Sequence, residues 1–421
     1  MLTRPVVGVS ASNENLNSWE RVDIMRYVDN QAISSRLGEQ RLSGARPTRR
    51  ASTRWILGSF LLAALASSAE GRTWIVEADG SGDAPTIQAA ILLAQEGDDI
   101  EVGPGVYRET VYLTGGRNID LHSRLGPAVT AIDGEGTRPV LGLDAGIVQG
   151  FTIRNGYAQT GAGVFIGQAD QVTSPILRNN IIENNRGTLY PDCCVGSGVY
   201  NIAVGARIEG NIIRHNEVFG VGGGIWDAGM ESSILENTIS FNLAESSGGV
   251  HSFASSVRGN LILGNFGRFG GGGATLVSCV EFRNNTVVGN TTANSFLNAA
   301  GVQTGSFGCV LEQNIIASNR GNGRGIGLIA SEFSTVRCND VWGNDIDTIS
   351  GPSDPSNFSA DPLFCAAEPL LSLNFLLRSN SPCAAGNTPT PSCGQVGARG
   401  VGCGTVATAK RGWGEVKQLF R

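Results

Sequence analysis

Residues 177–185 read LRNNIIENN, and the same grammar returns at 208–216 (IEGNIIRHN), 234–242 (ILENTISFN), 257–265 (VRGNLILGN), 282–290 (FRNNTVVGN), 311–319 (LEQNIIASN) and 336–344 (VRCNDVWGN). Each copy carries Asn, four residues, then Asn. The first asparagines, Asn180, Asn211, Asn237, Asn260, Asn285, Asn314 and Asn339, recur every 23–31 residues, and Gly150 to Asn155 reads as a degenerate earlier copy. An internal repeat of this length with short strands marks a solenoid.

Columns through the repeat give side-chain directions. Two residues after each first Asn stand Ile182, Ile213, Ile239, Ile262, Val287, Ile316 and Val341. Three residues before it stand Leu177, Ile208, Ile234, Val257, Phe282, Leu311 and Val336. Both columns are wholly apolar and are expected to face a core. The column Ile181, Ile212, Thr238, Leu261, Thr286, Ile315, Asp340 is mixed and is expected to face outward, as is the charged column Arg178, Glu209, Leu235, Arg258, Arg283, Glu312, Arg337. The period is two, so the segments are strands. Equivalent strands then stack in parallel about 4.8 Å apart. The predicted fold class is all-β, a single-stranded parallel β-helix, whose right-handed form is what the resemblance given below implies. Stacked Asn amides bonding from coil to coil explain the repeated first Asn as a structural ladder.

Composition agrees. The 421 residues include 59 Gly, 41% are hydrophobic and only 16% are charged, which excludes a disordered chain and, without a strict glycine period, a collagen. Only two lysines occur, Lys410 and Lys417, so lysine chemistry before the C-terminal end is excluded, Schiff-base enzymes and P-loop kinases with it. From residue 72 onward, 22 basic against 31 acidic side chains leave a formal charge of about −9. That balance speaks against nucleic acid as a partner, and makes an acidic polysaccharide awkward without a bridging cation.

Residues 49–71, RRASTRWILGSFLLAALASSAEG, read as a secretory signal peptide cleaved near Ser68 or Ala69. Its apolar run, Trp55 to Ala66, is too short for a stable membrane span. Residues 1–48 are then an N-terminal extension or a mis-called start. The expected location is extracellular or at the cell surface, where nine cysteines suit disulfides. Cys365, Cys383, Cys393 and Cys403 crowd the C-terminal end, and the pairing stays open. The expected layout is a β-helix over 72–403, capped by 72–145 and 351–403 around repeats 146–350, then a tail at 404–421. Within the first cap, PTIQAAILLAQ (85–95) has helical spacing after Pro85 and suits a capping helix.

The stretches ADGSGDAPTIQAAI (78–91), GDDIEVGPGVYRETV (97–111), GFTIRNG (150–156), the repeated Gly-Gly-x-Ile/Val and Asn-x-Ile units, ADPLF (360–364) and SPC (381–383) resemble secreted bacterial right-handed parallel β-helix repeat proteins of the pectin-lyase-like superfamily. The likeness spans residues 73–403 and implies a pectin-lyase-like solenoid. Its functional implication is broad, because that superfamily includes lyases, esterases, glycoside hydrolases, epimerases and non-enzymatic surface proteins. The Asp-Phe-x-Phe-Gly and Gly-Arg-Pro-Trp segments of pectin methylesterases are absent, which speaks against esterase activity.

One residue after the Gly-Gly-Val or Gly-Gly-Ile units stand Phe165, Tyr200, Trp226 and His251. Four flat rings on consecutive coils would form a platform for sugar faces, and stacked rings that only stabilise the sheet are the competing reading. For an enzyme, the candidates are Asp227 and Glu231 as a carboxylate pair, Arg214 as a lyase base, and His215. Arg214 also has a bland explanation, an ion pair with Glu183 on the preceding coil. No two Asp are expected at one column on adjacent coils. A long rung at 186–198, with Tyr190, Asp192, Cys193 and Cys194, could wall a groove. Calcium is the one candidate cofactor, at Asp340, Asp345 and Asp347, where turn formation is the competing reading. The leading expectation is a secreted or surface β-helix monomer that binds a polysaccharide or cell-surface glycan on its outer face. The alternatives are a polysaccharide lyase or glycoside hydrolase acting on a pectin-like polymer, and an adhesion protein that recognises protein partners.

Overall fold

The computed structural model describes residues 71–167, 173–188, 195–293, 299–322 and 325–404. The expected signal peptide with its cleavage site, most of the expected tail, and Tyr190, Asp192, Cys193 and Cys194 lie outside the described residues.

Each coil after the first contributes one strand to each of three parallel sheets. Sheet 1 has eleven strands, from Thr73–Val76 to Thr335–Arg337. Sheet 2 has ten, from Gly105–Tyr107 to Asp340–Trp342, and sheet 3 has ten, from Val111–Leu113 to Ile346–Ser350. Between sheets 2 and 3, a six-stranded sheet 4 runs from Tyr157–Ala158 to Thr291–Thr292. The protein is a parallel β-helix. Its registers match the apolar columns: Ile182 lies over Ile213, Ile213 over Ile239, and Leu177 over Ile208, and all are fully buried. Burial of each such side chain is worth about 1.5–3 kcal/mol.

The corners follow from backbone chemistry. The residue before each first Asn (Asn179, Gly210, Glu236, Gly259, Asn284, Gln313, Cys338) and before each second Asn (Asn184, His215, Phe241, Gly264, Gly289, Ser318, Gly343) is left-handed, with φ of 52–68°. Most are not glycine, so the conformation costs about 1 kcal/mol or more at those positions. The ladders offset that cost. Asn211 Oδ1 accepts from the Asn180 amide N–H (3.0 Å) and Nδ2 (3.2 Å), while Asn211 Nδ2 donates to Leu177 O (2.8 Å) and to Asn237 Oδ1 (3.1 Å). The pattern repeats to Asn339 and passes on to Asn357. The second asparagines form a parallel ladder from Asn185 to Asn344.

At the N-terminal end, helix α1 (Ile87–Leu93) buries Ile87, Ala90 and Ile91. Thr86 Oγ1 accepts the Ala89 N–H (3.1 Å), and the Glu109 carboxylate takes the N–H groups of Ile87 and Gln88. The Gln88 amide accepts the Tyr112 N–H at 2.7 Å and so ties the helix to the first strand of sheet 3.

The C-terminal segment departs from an end cap. Residues 357–358 extend the last coil, with Phe358 O accepting the Val341 N–H at 3.0 Å. The chain then returns along the flank of sheet 2, where Phe364, Phe375, Leu377, Cys383 and Val396 pack on Leu261, Leu263, Val288, Ile315 and Ala317. The mixed column expected to face solvent is therefore split: Ile212 is 37% exposed, whereas Leu261, Thr286, Ile315 and Asp340 are buried under this strap. Side chains pointing away from the solenoid core meet a second core instead. The disulfide Cys338–Cys393 fastens the strap to the last coils, Cys365–Cys403 closes it on itself, and Cys279–Cys309 links successive coils. No helix among the described residues is long and apolar enough to cross a membrane.

Candidate functional site

Phe165, Tyr200, Trp226 and His251 are the outward residues of four adjacent strands of sheet 3 and stand in direct register. Tyr200 stacks on Trp226 with centroids 4.7 Å apart and planes 5° from parallel, and Phe165 follows at 5.1 Å and 31°. Exposure falls along the column. Tyr112 is 44% exposed, Phe165 and Tyr200 are half-buried, and Trp226 and His251 are buried at 8% and 3%. The expectation of four open rings is corrected for the last two. Phe253, where the strand register shifts, lies edge-on to both, at 5.8 Å from Trp226 and 5.1 Å from His251. Val221 and Val277 complete this outer cluster. His251 Nδ1 meets Ser247 Oγ at 3.0 Å, and burial pulls its pKa down to about 3, so the ring is neutral at physiological pH. Gly142 lies between Tyr112 and Phe165. A Cβ there would approach Tyr112 Cδ1 to 2.6 Å, so the tyrosine ring fills the space a side chain at 142 would need.

The proposed catalytic residues do not converge. Asp227 is fully buried, because one residue past an outward Trp226 the strand faces the core. Its carboxylate accepts from Asn201 Nδ2 (2.5 Å), Ser252 Oγ (3.3 Å), the Gly229 N–H (3.4 Å) and Ser255 Oγ. Burial raises its pKa to about 6 against the pull of these donors. Arg214 lies on the outer face of sheet 2, with Nη2 2.7 Å from Glu183. His215 occupies a left-handed corner and stacks on Phe241 at 5.6 Å. Glu231 is exposed in the turn leading back to sheet 1, again at positive φ.

The expected calcium ligands are likewise separate. Asp340 is buried under the strap, accepting the Ala360 N–H (3.0 Å) and the Cys383 S–H (3.1 Å). Asp345 binds Arg320 and the N–H groups of Gly321 and Gly325. Asp347 ends the second ladder: its Oδ1 takes the Asn344 N–H (2.7 Å) and Nδ2 (2.9 Å) where a further Asn would stand. These carboxylates close turns and ladder ends.

Two further features are not marked by the Asn period. The first is a groove of about 600 Å³ at the corner between sheets 2 and 4, lined by Asp133, Glu135, Asn155, Tyr157, Asn184 and Arg186. The second is on sheet 1, where Asp99 and Asp120 do occupy one column on adjacent coils, with His122 beside them. The Asn frame starts only near residue 150, so columns in the earlier coils had no anchor. The available signal was DIEV at 99–102 aligned with DLHS at 120–123.

No known family profile matches the chain, and no curated protein matches it. Among solved structures, it is similar to pectate lyase Pel9A at 14% identity and TM-score 0.49, over 79% of this chain and 97% of that one. It is also similar to pectin methylesterase from carrot at 12% identity and TM-score 0.29, over 70% and 91% of the two chains. The strand registers of the chain itself establish its architecture, a parallel β-helix with a strap along one flank.

Proposed function

We propose that this is an exported β-helix protein that binds a polysaccharide along the outer face of sheet 3. The carrying observation is the graded ring column: Tyr112 and Phe165 stand at its open end with only Gly142 between them, and Tyr200, flanked by Phe165 and Trp226, continues the column to the buried Trp226 and Phe253 behind. Aromatic faces stack on the C–H faces of sugars, and coil spacing of about 4.8 Å sets rings at intervals close to one sugar unit. The formal charge of about −9 from residue 72 onward favours a neutral glycan. Three disulfides suit an oxidising compartment. A second reading, cleavage of a polysaccharide, draws on the groove beside Asp133, Glu135 and Arg186, which joins carboxylates and a guanidinium around the Tyr157 ring.

The test is incubation of the purified protein with a polysaccharide panel, with mass analysis of products and affinity electrophoresis in parallel. Retardation by an intact polymer is the expected result. Saturated or unsaturated oligosaccharides would establish the enzymatic reading, and neither products nor retardation across the panel would overturn both.

A further inference from the structure

The first coils lack the devices that bind the later ones together. Among the described residues, the first ladder takes its earliest donor from Phe151, and every disulfide lies at residue 279 or beyond. On the outer face of sheet 1 in that region, Asp99 pairs in register with Asp120, and Glu101 with His122.

His122 Nδ1 stands 3.5 Å from Asp99 Oδ1 and 3.7 Å from Asp120 Oδ1. These gaps are too long for hydrogen bonds, and Nδ1 is shielded from solvent with no hydrogen-bond partner. They are close to the separation of two ligands that share one ion, since atoms about 2.1 Å from a common centre, at tetrahedral to trigonal angles, lie roughly 3.4–3.6 Å apart, and one ligand atom from each of the three residues lies within 4.8 Å of the other two. The local charge also calls for a cation. Of the four carboxylates here, Glu77 and Glu101 are met by Arg124 at 2.8 and 2.6 Å, which leaves Asp99 and Asp120 with no arginine among the ion pairs of the described residues and the imidazole between them, its Nε2 3.8 Å from Glu101. Gln149 Nε2 holds Asp120 at 3.0 and 3.1 Å, as outer partners of metal ligands do.

We propose that Asp99, Asp120 and His122 Nδ1 bind a divalent ion of the manganese-to-zinc series, with water completing its shell, and that this ion cross-links the second and third coils. A nitrogen ligand among two carboxylates selects these ions over calcium. Three protein ligands leave coordination positions open.

The experiment uses the full chain, stripped with chelator, and Mn²⁺ as the probe, because soft sulfur ligands hold it poorly and the buried Cys383 thiol does not compete. The chain has three histidines, so their ring resonances report separately. Mn²⁺ below one equivalent is expected to broaden His122 selectively and to raise the melting temperature. His122→Gln and Asp99→Asn are each expected to weaken binding tenfold or more and to abolish that rise, while His215→Gln changes neither. Metal-free melting of each variant checks its fold, and if His122→Gln does not fold, Asp99→Asn carries the test. No broadening of His122, broadening of His215 first, displacement by equimolar Ca²⁺, or unchanged affinity in folded His122→Gln would each overturn the proposal.

Discussion

His251 and Asp340 pull stability in opposite directions with pH. Burial holds the His251 pKa near 3 against an ordinary 6.5, so its contribution is complete above pH 6.5 and is lost as the pH falls from there toward 3. Burial, with the Asp361 and Asp347 charges adding, raises Asp340 from 3.8 to about 7. The folded protein then keeps a proton that the unfolded chain releases, so stability falls as the pH rises from about 4 to about 7 and is flat beyond. Asp340→Asn keeps an oxygen for the Ala360 N–H. It is expected to flatten the decline between pH 4 and 7 and to exceed wild type at pH 8, whereas His251→Gln flattens only the acid limb. Urea unfolding across pH reads both, and parallel profiles for wild type and both variants would contradict these environments. Neither environment was legible in the sequence. The two-residue period showed which way each side chain leaves its strand, but burial of His251 depends on Phe253 at a register shift, and that of Asp340 on a strap that arrives from residues 360–383.

At the scale of elements, the ladders convert an Asn period into coil-to-coil cohesion. Asn237 Oδ1 accepts from the Asn211 N–H (2.9 Å) and Nδ2 (3.1 Å), and its Nδ2 donates to Ile208 O (2.8 Å). Asn237→Ala leaves these groups unpaired in the core, at about 1–3 kcal/mol each, so a loss of about 3 kcal/mol or more is expected in chemical denaturation. Asp347 needs only to accept at the ladder's end, so Asp347→Asn is expected to cost under about 1 kcal/mol. Equal effects at the two positions would contradict the directional ladder. The inward columns were legible because both core and ladder repeat with one period. The Asp99, Asp120 and His122 cluster was not, since its coils precede the Asn frame and their spacing follows another rule.

At the scale of the molecule, the strap makes the two halves of sheet 2 unlike. Its early coils expose Ile212, while its late coils carry a second core around Phe364, Phe375 and Leu377. The Cys338–Cys393 link holds this strap to the last coils. Replacing both cysteines by Ser is expected to cost about 2–4 kcal/mol and to increase binding of an apolar dye as Leu261 and Ile315 become accessible. An unchanged dye signal together with unchanged melting would contradict the strap's role. The chain's Pro and Cys enrichment after residue 351 signalled a different structure there, but composition carries no direction, and a segment that seals an end looks the same in sequence as one that runs along a flank.

The same limit applies to the ring column: its register was readable, and the gradient of exposure along it was not. That gradient carries the functional account, and affinity electrophoresis in gels containing a polymer that retards the wild type tests it most directly. Tyr112→Ala and Phe165→Ala, at the open end, are each predicted to weaken binding by about 2- to 10-fold, the range expected for one lost aromatic stack, while His215→Ala on the far corner leaves it unchanged. Full retardation of the Tyr112→Ala, Phe165→Ala double variant would contradict a binding face on sheet 3.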